Sequence, residues 1–154
     1  MTTPIEMNAP AMFCAADLKS SPDSAAPCDD LVRQQVWGVL AAMYPDGRII
    51  ERRADQRYPY PHLLYLTPVA ADGVTPDGES VVVVGKTISE HGLGIFHPQP
   101  LAHRLVIASL ETGENCFAGF LVDITWCRFM RYGWYESGGR FLQVAPSPIV
   151  RRAR

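Results

Sequence analysis

Two arginines four apart, Arg53 and Arg57 in ERRADQR, and a strand reading T-x-S-x-x-G-x-G from Thr87 through Ser89 and Gly92 to Gly94 have the types and spacing to meet a ligand on one surface of a sheet. A guanidinium offers phosphate a flat donor fork and offers a ring a flat cation. Thr87 and Ser89, two apart on an extended chain, put both hydroxyls on one face while Ile88 points the other way. Glycines at 92 and 94 remove side chains where the backbone bends, which suits unusual dihedral angles or the close approach of a ligand. A plainer account makes the arginines a solvated basic loop and the glycines turn residues that shape a sheet. It explains the glycines but not Arg53.

Other chemistries lack their residues. His91, His97 and His103 fall six apart, a spacing no zinc motif uses. Cys14, Cys28, Cys116 and Cys127 contain no C-x-x-C pair and suggest no disulfide framework, so they read as reduced thiols. Neighbours on a strand point to opposite faces, so Glu90 and His91 do not couple to Ser89 unless the chain bends there. Neither a G-x-S-x-G elbow nor a G-x-x-x-x-G-K-[ST] loop occurs. The expectation is a binding module, not an enzyme, with no metal and no cofactor. Trp126, Phe129, Trp134 and Phe141 are expected to pack the core or a rim rather than to stack on a ligand.

These residues need a scaffold, and the texture of the chain supplies one. Residues 1–28, rich in Pro, Ala, Ser and Thr, hold too little apolar side chain to offset the entropy of ordering and are expected to be a disordered tail. Val32, Val36, Val39, Leu40 and Met43 fall three or four apart after Asp29 and Asp30, and Pro45-Asp46-Gly47 stops the pattern, which predicts an amphipathic helix over 29–44. Its apolar stripe must be buried on the following domain or on a second copy. From Arg48 the sequence turns to short β-rich runs at 62–70, 80–89, 94–97, 104–111, 115–129 and 131–144, separated by ADGVTPDG, TGEN and SGG. Six or seven short strands at this spacing predict an antiparallel barrel or sandwich. Residues 145–154, ending in RRAR, are expected to trail as a tail.

Composition limits the partners. The chain has 154 residues, 47% hydrophobic and 19% charged, as in a soluble globular domain. A net charge of −2 argues against a nucleic-acid track or an anionic membrane surface, so any anion site must be local. The first twenty residues have no basic or apolar leader segment, and no apolar run reaches the ~20 residues of a membrane span, so the cytoplasm is the expected location.

The order RRADQR, TISEHGLG, VDITWCRF and WYESGGRF over residues 48–144 resembles PilZ domains. The resemblance implies a mainly β fold, a six-stranded antiparallel β-barrel with one N-terminal α-helix here. It also implies a bacterial receptor or adaptor for the second messenger cyclic di-GMP. Arg53 and Arg57 would then grip phosphates and stack on guanine, Ser89 would hydrogen-bond the ligand, and Gly92 and Gly94 would let it lie against the backbone. Thr87 departs from the family pattern, which has Asp or Asn there. One hydroxyl replaces a two-atom contact, a loss of about 1–3 kcal/mol if that contact is removed. The alternative implied by this departure is a degenerate PilZ-like module that binds no nucleotide and works through an unidentified protein partner or a homodimer formed by helix 29–43.

Overall fold

The computed structural model describes residues 28–44 and 56–149. The expectations for the tail ahead of Cys28, the Pro45-Asp46-Gly47 stop, Arg53 and the final RRAR fall outside the described residues. Among those described there are one α-helix and seven strands: α1 (Cys28–Met43), β1 (Tyr58–Pro59), β2 (Leu63–Pro68), β3 (Val81–Ile88), β4 (Gly92–His97), β5 (Leu105–Gly113), β6 (Cys116–Phe129) and β7 (Tyr135–Val144).

Every strand pairing is antiparallel. The order β3-β2-β5-β6-β7-β4 returns to β3 through a β3–β4 pairing, which closes a six-stranded barrel. The protein is therefore mainly β, with one extra strand and one helix ahead of the strands. β1 is that extra strand, with Tyr58 opposite Ile88 and Pro59 opposite Thr87. Because β4 occupies the other edge of β3 at this level, β1 continues the β2 side. One residue further along that register, Arg57 stands at the level of Ser89.

Short turns suffice for most connections because consecutive strands are neighbours. Asn115, at φ 63°, turns β5 into β6, a left-handed conformation that asparagine tolerates. The β6–β7 turn uses Tyr132 at φ 65° and Gly133 at φ 80°. The interior alternates as a half-buried sheet must: Leu64 and Leu66, Leu93 and Ile95, and Val106, Ala108 and Leu110 all join the core. Phe120 stacks on Phe141 with ring centres 4.3 Å apart.

The choice left open for the stripe of α1 is resolved in favour of its own barrel. Val32 is 3% exposed and Val36, Val39 and Leu40 are 0% exposed, and all four join the barrel core. Burying side chains of this size contributes about 1.5–3 kcal/mol each, which outweighs any intrinsic preference of the helix. The outward positions Arg33, Gln34, Gly38, Ala41 and Ala42 offer no large apolar seam for the helix-mediated homodimer. Gln35 Nε2 donates to the Gly119 carbonyl at 2.6 Å, and Tyr44 donates its hydroxyl to the Pro59 carbonyl at 3.1 Å. These bonds tie the middle of α1, and the residue that follows its last turn, to the barrel end where β3 turns into β4.

Candidate functional site

A continuous row runs across four strands on the outside of the barrel. Thr87 of β3 pairs with Gly94 of β4, Gly94 with Gly138 of β7, and Gly138 with Trp126 of β6. Two glycines in the middle leave a floor of bare backbone, walled by a hydroxyl on one side and an indole on the other. The floor belongs to a cavity of about 410 Å³, which Arg57, Lys86, Ser89, His91, Glu136 and Arg140 also line. Thus five of the six residues expected at the site (Arg57, Thr87, Ser89, Gly92 and Gly94) come together, and the sixth, Arg53, lies outside the described residues.

The expected residues do different work. Ser89 is 5% exposed, and its Oγ accepts from the backbone N–H of His91 at 3.1 Å and of Gly92 at 3.3 Å. Its hydroxyl therefore holds the β3–β4 turn before any ligand arrives. Gly92 is required by a neighbouring strand: a Cβ there would lie 2.0 Å from the Gly139 carbonyl oxygen. Gly94 is different, since the nearest atom to an added Cβ is the Thr87 Oγ1 at 3.1 Å. Gly94 and Thr87 form the open floor, while Ser89 and Gly92 build the turn beside it.

Among the contributors not expected from the sequence are Lys86, Trp126, Glu136 and Arg140. Glu136 is 3% exposed, and Lys86 Nζ donates to one carboxylate oxygen while Arg128 Nη2 donates to the other at 2.9 Å. Hydrogen bonds from Lys86 and then Arg128 hold the Glu136 carboxyl below its ordinary range, against the opposing effect of burial. Arg57, Lys86 and Arg140 line the cavity with this one carboxylate, so the cavity presents excess positive charge. Trp126 is 46% exposed and packs against Gly138 at one side of the floor, where a Cβ on Gly138 would be 2.3 Å from its Nε1. The expectation that Trp126 packs the core or rim gives way to a place in the cavity. A bulge between Ile124 and Trp126 resets which face each β6 residue occupies, and strict alternation does not reveal it. The signal within reach was Gly138-Gly139, since paired glycines in a strand mark close approach.

The turn is coupled to the helix. Trp37 Nε1 donates to Glu90 Oε2 at 2.6 Å, and Arg33 Nε lies 3.4 Å from Glu90 Oε1. Glu90 follows Ser89 directly, so α1 is bonded to the turn that borders the cavity.

A second cavity of about 460 Å³ opens between residues 77–83 and 97–103, lined mainly by apolar side chains such as Leu66, Val83, Leu101 and Val106. Its His97 is committed: Nδ1 donates to the Gln99 carbonyl at 2.6 Å, which leaves Nε2 to accept from the Ser137 hydroxyl at 2.8 Å. Although larger, it brings together none of the side chains expected to hold a phosphate. Among the described residues no cluster of three or more His, Cys, Asp or Glu side chains could hold a metal ion, and no helix is long and apolar enough to cross a membrane.

Fold and site together define a small closed barrel with a cationic, glycine-floored cavity on its outer face. No family model and no curated protein matches the chain. Among solved structures, the chain is similar to the Bacillus subtilis inhibitor of motility MotI/DgrA at 11% identity and a TM-score of 0.46, over 62% of this chain and 44% of that one. It is also similar to MrkH, described as a c-di-GMP-dependent transcription regulatory factor, at 19% identity and a TM-score of 0.43, over 62% of this chain and 45% of that one. The K. pneumonia MrkH complex with c-di-GMP matches at 19% identity and a TM-score of 0.42, over 61% and 46% of the two chains. The chain thus spans less than half the length of each.

Proposed function

We propose that this protein is a PilZ-type receptor or adaptor module that binds cyclic di-GMP in the glycine-floored cavity. The observation that carries the reading is the Thr87-Gly94-Gly138-Trp126 row, with Arg57, Lys86 and Arg140 around it. Cyclic di-GMP is a dianion with two flat purines. The cations suit its phosphates, the bare floor admits a ring against the backbone, and the exposed indole offers a stacking face. A cavity of about 410 Å³ falls in the usual range for small-molecule sites. Arg53 and Arg57 grip phosphate together, and ligand contacts at the Ser89–Gly92 turn reach α1 through Glu90.

Isothermal titration of the full chain with cyclic di-GMP, beside an Arg53→Ala/Arg57→Ala variant, tests this reading. Micromolar or tighter binding that vanishes in the variant supports it, and absence of heat and of thermal stabilisation at high ligand concentration rejects it. Thr87 favours a second reading, a degenerate PilZ-like barrel that works through a protein partner. In the structure Thr87 presents a single hydroxyl to the floor, so the two-atom contact expected of Asp or Asn is absent at that position.

A further inference from the structure

β6 is longer than the strand beside it. β5 covers its edge as far as the Leu105–Asp123 pair, and Ile124 still donates its N–H to the Arg104 carbonyl at 2.8 Å. Beyond that point Thr125 is the extra residue of the bulge, Trp126, Cys127, Arg128 and Phe129 pair with β7, and no strand among the described residues pairs with these five on the β5 side. All five are exposed, whereas Phe117–Val122 earlier in the same strand are all buried. The direction of the backbone groups follows from the turn. Met130 donates its N–H to the Trp134 carbonyl at 2.6 Å, so residue 130 faces β7, and alternation turns the backbone groups of Phe129 and Cys127 outward. An open edge flanked by a half-exposed Trp126 and a 65% exposed Phe129 is the kind of template natural sheets blunt or use.

We infer that this edge pairs antiparallel with the same edge of a second copy, about a two-fold axis at Cys127. The sequence of the edge is complementary to its own reverse. Centred on Cys127, the pairing sets Thr125 opposite the partner's Phe129 and Trp126 opposite the partner's Arg128. No like charges meet, and a cation faces an indole. Arg128 and Trp126 already lie 5.8 Å apart, guanidinium to ring, within one protomer. Opposed residues share a face, so each copy brings its Arg128 beside the other's Trp126 at the rim of the glycine-floored cavity. That consequence for the cavity rests on the nucleotide reading; the pairing itself does not.

Sedimentation equilibrium of the full chain without nucleotide, from micromolar to submillimolar protein, tests the pairing, so a failure of nucleotide binding leaves the result intact. The expected mass at high concentration is twice 17.0 kDa. Cys127→Lys opposes two ammonium groups at the axis, and Cys127→Pro removes an outward N–H. Each is expected to weaken the dimer at least tenfold while the far-UV spectrum stays unchanged. Should either fail to fold, a short bis-maleimide on Cys14→Ser/Cys28→Ser/Cys116→Ser protein, whose edge is intact and whose one remaining thiol is Cys127, is expected to join two chains, and the product should vanish when Cys127→Ser is added. A monomer at every concentration, a dimer indifferent to both axis substitutions, or crosslinking that survives Cys127→Ser would each overturn the pairing.

Discussion

Gly92 and Gly94 sit two residues apart in one strand, yet the structure gives them opposite sensitivities to the same added methyl group. In Gly92→Ala the new Cβ would lie 2.0 Å from the Gly139 carbonyl oxygen and 3.2 Å from the Arg140 Cα, both backbone atoms of β7. Cβ atoms essentially never come within 3.0 Å of such an atom, so β4 and β7 would have to separate by 1.0 Å (3.0 less 2.0) at the Gly92–Arg140 pair. Overpacking costs about 1–3 kcal/mol, and an obstacle of backbone rather than of flexible side chain puts Gly92→Ala near the top of that range. For a domain of this size about 3 kcal/mol corresponds to a fall of roughly 10–20 °C in Tm. In Gly94→Ala the nearest atom is the Thr87 hydroxyl at 3.1 Å, which can rotate away, so the expected cost is under ~1 kcal/mol. Thermal melting by far-UV circular dichroism measures both, and titration with cyclic di-GMP measures what Gly94→Ala does to the cavity it floors. Equal shifts in the two variants, or a Gly92→Ala protein melting within about 2 °C of the parent, would refute the assignment of Gly92 to the strand contact and Gly94 to the open floor.

Three other perturbations separate the parts of the site. Thr87→Asp restores a two-oxygen contact facing the floor and is expected to tighten cyclic di-GMP binding by about one to two decades, read by calorimetry; no change would place the ligand elsewhere. Because Lys86 and Arg128 hold the Glu136 carboxyl below its ordinary value of 4.5, its contribution to stability is complete above that value and is lost as pH falls through the lower folded value. Urea midpoints measured from neutral pH downward should therefore fall more steeply below pH 4.5 in the parent than in Glu136→Gln, and parallel curves would refute the linkage. Trp37→Phe deletes the donor to Glu90 and should cost about 1.5–3 kcal/mol in urea unfolding, with Glu90→Gln, which keeps an acceptor, costing less.

The sequence by itself determined the ingredients whose causes are local. The spacing of Val32, Val36, Val39 and Leu40 made one helix face apolar wherever it was to be buried, and alternating runs broken by Gly, Asp and Asn made short antiparallel strands. The chain also carried Thr87, Ser89, Gly92 and Gly94 in one strand-turn segment, so their proximity required no long-range contact. Tertiary structure decided everything that depends on which strand lies beside which. Closure of β3 onto β4 and of β4 onto β7 put Gly138 against Gly94, and a bulge in β6 turned Trp126 onto that floor. Lys86 and Glu136 met across strands 50 residues apart, a pairing set by register. The division of labour between Gly92 and Gly94 was equally hidden, since a glycine's requirement is written in the atoms that face its missing Cβ, and those belong to another strand.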